Sequence, residues 1–274
     1  RKSTTIKMLT GILTPDSGEI TVNGYIPYKQ RIKNNFQIGA VFGQRTQLWW
    51  DVPVIESYKL IKKIYEVPDD IYKKNLQQFT ELLGLEDLLN TPVRQLSLGQ
   101  KMRCEICAVF IHNPKIVFLD EPTIGLDVMV KDKIRKFIKK LNADKKITVI
   151  LTTHDLQDIE EVCNRIIIID KGIIIYDGTI NNIKDKFGKY RVISFKINNA
   201  KENIHQLFSK NKNLEIIEKD EYNLSIKFNR TNITAATVIE LVSEYCKIID
   251  LSISEPSIES IVKDIFNPEN SVQN

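Results

Sequence analysis

The sequence predicts an α/β protein built on a parallel sheet, followed by a small α+β domain. Two observations predict the first part. Residues 116–119 form a short continuous apolar run, the pattern of a strand covered on both faces, and the run ends in Asp120-Glu121-Pro122. A second buried run at 147–152 follows an amphipathic stretch at 132–142 and ends in Thr153-His154-Asp155. The third observation concerns the second part. Beyond residue 190 the pattern reads strand (191–197), helix (201–209), strand (213–218), strand (222–228), helix (232–246) and strand (248–254). That is the β-α-β-β-α-β order of the ferredoxin-like pattern.

Composition agrees with this organisation. A chain of 274 residues with 42% hydrophobic content buries one good-sized core and a smaller second one. The formal charge of +4 is too mild to imply nucleic acid, and none is expected as a partner. Four cysteines, at 104, 107, 163 and 246, read as reduced thiols. No apolar run has the length of a membrane span; the nearest, 166–175, is broken by Asp170-Lys171-Gly172 and reads as a β-hairpin.

Taken in order, the chain opens on Arg1-Lys2-Ser3-Thr4-Thr5 and then apolar residues at helical spacing. Lys-Ser at a helix start reads as the tail of a phosphate-binding loop, G-x-x-x-x-G-K-[ST], although Ser and Thr favour helix starts in any case. Residues 14–18 form a turn, 19–22 a strand running into a turn at Asn23-Gly24, and 36–42 a further strand ending at Gly43-Gln44-Arg45. Trp49 and Trp50 follow; they either pack in a core or form a docking surface.

Residues 58–89 are helical, with breaks at Val67-Pro68 and Gly84, and lead into Leu96-Ser97-Leu98-Gly99-Gln100 and a helix over 101–112. Cys104 and Cys107 share a face of that helix and read as structural thiols. The lysines of the 132–142 helix read as a solvated face. The two carboxylates after 116–119 stand where open α/β sheets bind ligands; one suits a magnesium ion held through water, the other a proton taken from a nucleophile. His154, at the end of a neighbouring strand, suits a role near a γ-phosphate. No catalytic constellation is evident beyond residue 190, where packing or dimerisation is the expected role.

Taken together, these residues resemble an ATPase subunit of the ABC type, a P-loop NTPase fold with a helical subdomain. The resemblance covers about 1–180. Lys2-Ser3-Thr4 resembles the end of the Walker A loop and Gln44 the Q-loop glutamine. Ser97, Gly99 and Gln100 match the L-S-x-G-Q signature, the most specific of these motifs. The run 116–120 is similar to Walker B, with Glu121 at the catalytic glutamate. Gly125-Leu126-Asp127 looks like the D-loop, and His154 matches the switch histidine. The Gln44-to-Asp51 stretch and the ending in Pro-Ser-Ile-Glu further resemble ATPase subunits of bacterial export systems.

The resemblance implies an ATP-hydrolysing subunit of a membrane transporter, an exporter, working as a homodimer or pseudo-dimer beside a transmembrane permease subunit on the inner face of the cell membrane. ATP and Mg2+ are the implied cofactors. Lys2, Ser3 and Thr4 would hold phosphates, Ser3, Gln44 and Asp120 the metal, and Glu121 would polarise the attacking water. His154 and Gln44 would attend the γ-phosphate, while Ser97, Gly99, Gln100 and Asp127 would complete the nucleotide site of the facing subunit. The expected domains are 1–185, with the helical subdomain at about 51–113, and an accessory α+β domain at 190–274. Leu98 replaces the commoner second glycine of the signature, and Arg1 stands where the last loop glycine is usual. The first strand, the adenine-stacking aromatic and the loop glycines are expected to lie before residue 1, so the chain reads as truncated within the Walker A loop. Two other readings accompany this one: a non-catalytic remnant that keeps the fold and partner surface, and an ABC ATPase not involved in transport.

Overall fold

The structure, a computed structural model, describes residues 2–43, 45–188, 190–198, 214–254 and 261. The chain separates into two compact units, Arg1–Cys163 with Ile169–Ile173, and Asn164–Ile168 with Ile174–Asn274.

The first unit is carried by three parallel strands, β1 (Ile38–Phe42), β2 (Ile116–Asp120) and β3 (Thr148–Thr152), in the order β1-β2-β3. The central strand is apolar because both of its faces are covered. Phe118 packs with Ile6 of helix α1 (Lys2–Leu9) and with Val22. Val117 and Leu119 point the other way, into the larger core, as the two-residue period of a strand requires. That core is built by α3 (Val54–Ile64), α4 (Asp69–Leu83), α5 (Leu98–Phe110) and α6 (Val128–Lys145). At its centre Phe137 meets Phe79 and Phe110 edge-on, each with ring centroids 5.3 Å apart. Gly39 lets α5 approach β1: a Cβ there would lie 2.4 Å from Val109 Cγ1. Smaller helices α2 (Arg31–Asn35) and α7 (Leu156–Val162) complete the unit.

Several expected elements shift. The strand expected at 19–22 is not formed. Val22 and Tyr25 instead exchange two backbone hydrogen bonds, 2.8 and 2.9 Å, around Asn23 (φ 50°) and Gly24 (φ 83°). The physical reason is that only Val22 of this segment is buried, so one anchored residue closes a tight turn and no ladder extends from it. The helical block divides as expected near Pro68 and at Gly84 (φ 62°), but its first helix starts at Val54. The helix read over 101–112 starts at Leu98, because Ser97 caps it. The helix read over 132–142 extends to Val128 and Lys145, capped at its start by Asp127. Trp49 and Trp50 are more than half exposed, so they do not pack in the core.

The second unit begins with the hairpin β4 (Arg165–Asp170) and β5 (Ile173–Thr179), which turns at Lys171-Gly172 and is divided between the two groupings. Helix α8 (Ile180–Phe187) leads to β6 (Tyr190–Asn198), β7 (Leu214–Lys219), β8 (Asn223–Asn229), α9 (Ala235–Ser243) and β9 (Lys247–Ser254). The sheet order is β7-β8-β6-β9, with every pair antiparallel. First and last strands lie side by side, the arrangement of a ferredoxin-like sheet. Ile193, Phe195 and Ile197 face inward at alternate positions and pack with Ile226, Phe228 and Val238. The helix expected at 201–209 lies outside the described residues. No described helix is long and apolar enough to cross a membrane.

Candidate active site

The registers of β1, β2 and β3 align Phe42, Asp120 and Thr152 across the sheet. The carboxyl ends of the three strands therefore stand level, and the residues just beyond them converge. Gly43 N donates to the Asp120 carbonyl at 2.9 Å, and Glu121 N to the Thr152 carbonyl at 2.9 Å. These bonds hold the turns that follow β1 and β2.

Asp120 is buried, and its Oδ1 accepts from Ser3 Oγ at 3.1 Å and from the Thr152 hydroxyl. A hydroxyl and a carboxylate 117 positions apart in the sequence thus meet at one point, a pair of hard oxygen donors. Lys2 Nζ donates to the Thr153 carbonyl at 2.8 Å, which brings its ammonium to the end of β3. Thr4, next along α1, is exposed.

Glu121 adopts φ 55°, left-handed for a residue with a side chain. The turn aims its carboxylate at His154, whose Nδ1–H donates to Glu121 Oε2 at 2.8 Å. Glu121 is mostly covered, with a side chain 24% exposed, while His154 is 67% exposed at the rim. Lys2, Ser3, Asp120, Glu121 and His154 are thereby brought together. Gln44 lies outside the described residues.

The signature forms a separate cluster. Ser97 Oγ accepts from Gln100 N at 3.3 Å, and Gln100 Oε1 accepts from Ser97 N at 2.8 Å, a reciprocal capping box at the start of α5. A Cβ on Gly99 would lie 3.2 Å from Val130 Cγ2, so the signature helix abuts the first turn of α6. Asp127 caps that turn by accepting from Val130 N at 2.9 Å. Among the described residues no hydrogen bond joins this cluster to the Lys2–Asp120–Glu121 group.

Two buried carboxylates support these loops, and sequence reasoning missed both. Glu105 of α5 accepts from the Thr46 hydroxyl, from Gln47 N at 2.9 Å and from Leu48 N at 3.3 Å, and burial raises its pKa. Asp158 of α7 takes Arg135 Nε at 2.6 Å and the hydroxyls of Thr123 and Thr153. Arg135 sits among the α6 lysines read as a solvated face, yet it is only 3% exposed. The one available signal was arginine among lysines, since arginine is the residue that suits a buried, forked ion pair.

Level strand ends with a lysine, a hydroxyl and paired carboxylates define an NTP-hydrolysing α/β domain. Comparison with known proteins specifies it. The family model described as ABC transporter matches residues 2–124. The chain is 28% identical over 263 residues to the linearmycin resistance ATP-binding protein LnrL of Bacillus subtilis, covering 95% of this chain and 84% of that one. It is 31% identical to the energy-coupling factor transporter ATP-binding protein EcfA2 of Clostridium perfringens, covering 85% and 82% respectively. Among solved structures it is similar to a dimeric ATP-binding cassette in a post-hydrolysis state bound to ADP and Pi, with TM-score 0.58, 26% identity, and 65% and 80% of the two chains covered. The chain belongs to the ABC transporter family, as an ATP-binding subunit with the ATPase fold.

Proposed function

We propose that this chain hydrolyses ATP at the ends of β1–β3 and uses closure of an ATPase dimer to drive a separate membrane-spanning subunit of an exporter. The observation that carries the reading is the convergence of Lys2, Ser3, Asp120, Glu121 and His154 at the level strand ends. Lys2 would balance charge on the β- and γ-phosphates, and the Ser3 hydroxyl and Asp120 would hold magnesium. Magnesium, when bound, neutralises phosphate charge. Glu121 accepts a proton from the water that attacks the γ-phosphorus, and the bond to the β-phosphate oxygen breaks to leave ADP and phosphate. His154 orients Glu121 and faces the γ-phosphate, and Gln44 senses the same end.

In this reading Ser97, Gly99, Gln100 and Asp127 serve the nucleotide of the facing subunit. Exposed Leu98, Val128 and Met129 give that contact an apolar component. Exposed Trp49 and Trp50, on a segment anchored by Glu105, suit the membrane partner. The exporter reading rests on the resemblance of the Gln44-to-Asp51 stretch and the Pro-Ser-Ile-Glu ending to ATPase subunits of bacterial export systems. Residues 190–274 form an accessory domain that serves packing or dimerisation, and the chain works at the inner face of the cell membrane.

Glu121→Gln tests the chemistry. Turnover should fall by roughly 10²–10⁴-fold, the usual worth of a positioned general base, with ATP binding retained. Turnover at the parent rate would exclude Glu121 from the role.

A further inference from the structure

We infer that Asp158 is a positioning residue for hydrolysis: its buried carboxylate locks the loop that follows Glu121 to the loop that carries His154. The inference rests on the roles proposed above for those two residues. Asp158 is 1% exposed and so touches no nucleotide. Its Oδ2 accepts two hydroxyls from different loops, Thr123 Oγ1 and Thr153 Oγ1, the latter at 3.2 Å. Thr123 stands two residues after Glu121, and Thr153 immediately before His154. Thr153 Oγ1 also accepts from Asp155 N at 2.9 Å, so both neighbours of His154 join the same network. Asp155 is held in turn by Lys131 Nζ at 2.6 Å.

Arg135 supplies the counter-charge, with Nε and Nη2 each 2.6 Å from Asp158 Oδ1. A buried ion pair of this kind is weak evidence for net stability, so its position is the informative feature. Glu121 sits in a sparsely populated backbone region, and such conformations persist only where the surroundings over-determine them. The two hydroxyls on one oxygen supply that constraint and fix the spacing of Glu121 and His154. Loss of either frees one loop relative to the other.

The test uses Thr123→Val and Thr153→Val in the full chain, which remove one hydroxyl each and keep the ion pair. Each should lower kcat for ATP about tenfold or more, as small misplacements of reacting groups do. KM for ATP should stay within about twofold, since the lost interaction is not one of binding. Thr123→Ser, which keeps the hydroxyl, should retain the parent kcat. A folded Thr123→Val with the parent kcat overturns the inference, as does an equal loss in Thr123→Ser. If the valine variants do not fold, Thr123→Ala against Thr123→Ser makes the same comparison, and equal kcat values overturn it. Glu121→Gln is measured alongside. If it keeps the parent turnover, the assignment of Glu121 fails; if it loses turnover while Thr123→Val does not, only the positioning role fails.

Discussion

Glu121 holds a backbone conformation that residues with side chains seldom adopt, and this turns its carboxylate toward His154. Lys2 shows a simpler dependence. Its ammonium rests on the Thr153 carbonyl, and the role proposed above has it exchange that neutral acceptor for a phosphate. Lys2→Ala should weaken ATP binding by roughly 10- to 100-fold, the range for a hydrogen bond to a charged group, measured with a fluorescent nucleotide. A pH effect lies away from the site. Burial pushes the His112 imidazole down to about 4 from 6.5; its ring stacks on Tyr65 at 3.8 Å and its Nε2 pairs with the Ile38 carbonyl at 3.0 Å. The unfolded chain therefore takes up this proton before the folded one does. Stability should be unaffected above about pH 6.5 and fall by about 3 kcal/mol as pH drops to about 4. Denaturant midpoints between these values check it, and His112→Gln should flatten the dependence.

Helix α5 joins three parts of the first unit. Its first turn is the signature, closed by the Ser97–Gln100 capping box. Gly99 abuts Val130, and Glu105 gathers the backbone of 47–48 beneath the exposed tryptophans. Ser97→Ala should cost about 1 kcal/mol in stability, the usual worth of a cap, read from a denaturant titration. Glu105→Ala should cost more, about 1.5–3 kcal/mol, the worth of hydrogen bonds to a charged group, because it removes the acceptor shared by the Thr46 hydroxyl, Gln47 N and Leu48 N. In Glu105→Gln the amide oxygen remains to accept, so that variant should stay closer to the parent. A comparable loss in Glu105→Gln would show that the negative charge, rather than an acceptor, is required.

Across the whole molecule, the features that local pattern encodes were legible in the sequence. The run 116–119, the turn at Asn23-Gly24, the 170–172 hairpin turn and the four strands and last helix of the second unit each depend on neighbours within a few residues. The Ser3–Asp120 contact was legible only through resemblance, because it spans 117 positions. Asp158 with Arg135, and Glu105 with 46–48, left little local trace: each partner sits on a different element and looks like an ordinary surface charge until packing buries it. The segment 19–22 failed in the opposite way, since its local pattern suits a strand that the fold does not extend. The strand-end group and the signature cluster do not meet through hydrogen bonds among the described residues, and in the function proposed above the signature cluster serves the nucleotide of a facing copy. Sedimentation velocity of Glu121→Gln with ATP and magnesium tests this most directly. A dimer that forms with ATP and dissociates when ADP replaces it is the predicted result. A chain that stays monomeric with ATP bound would contradict it.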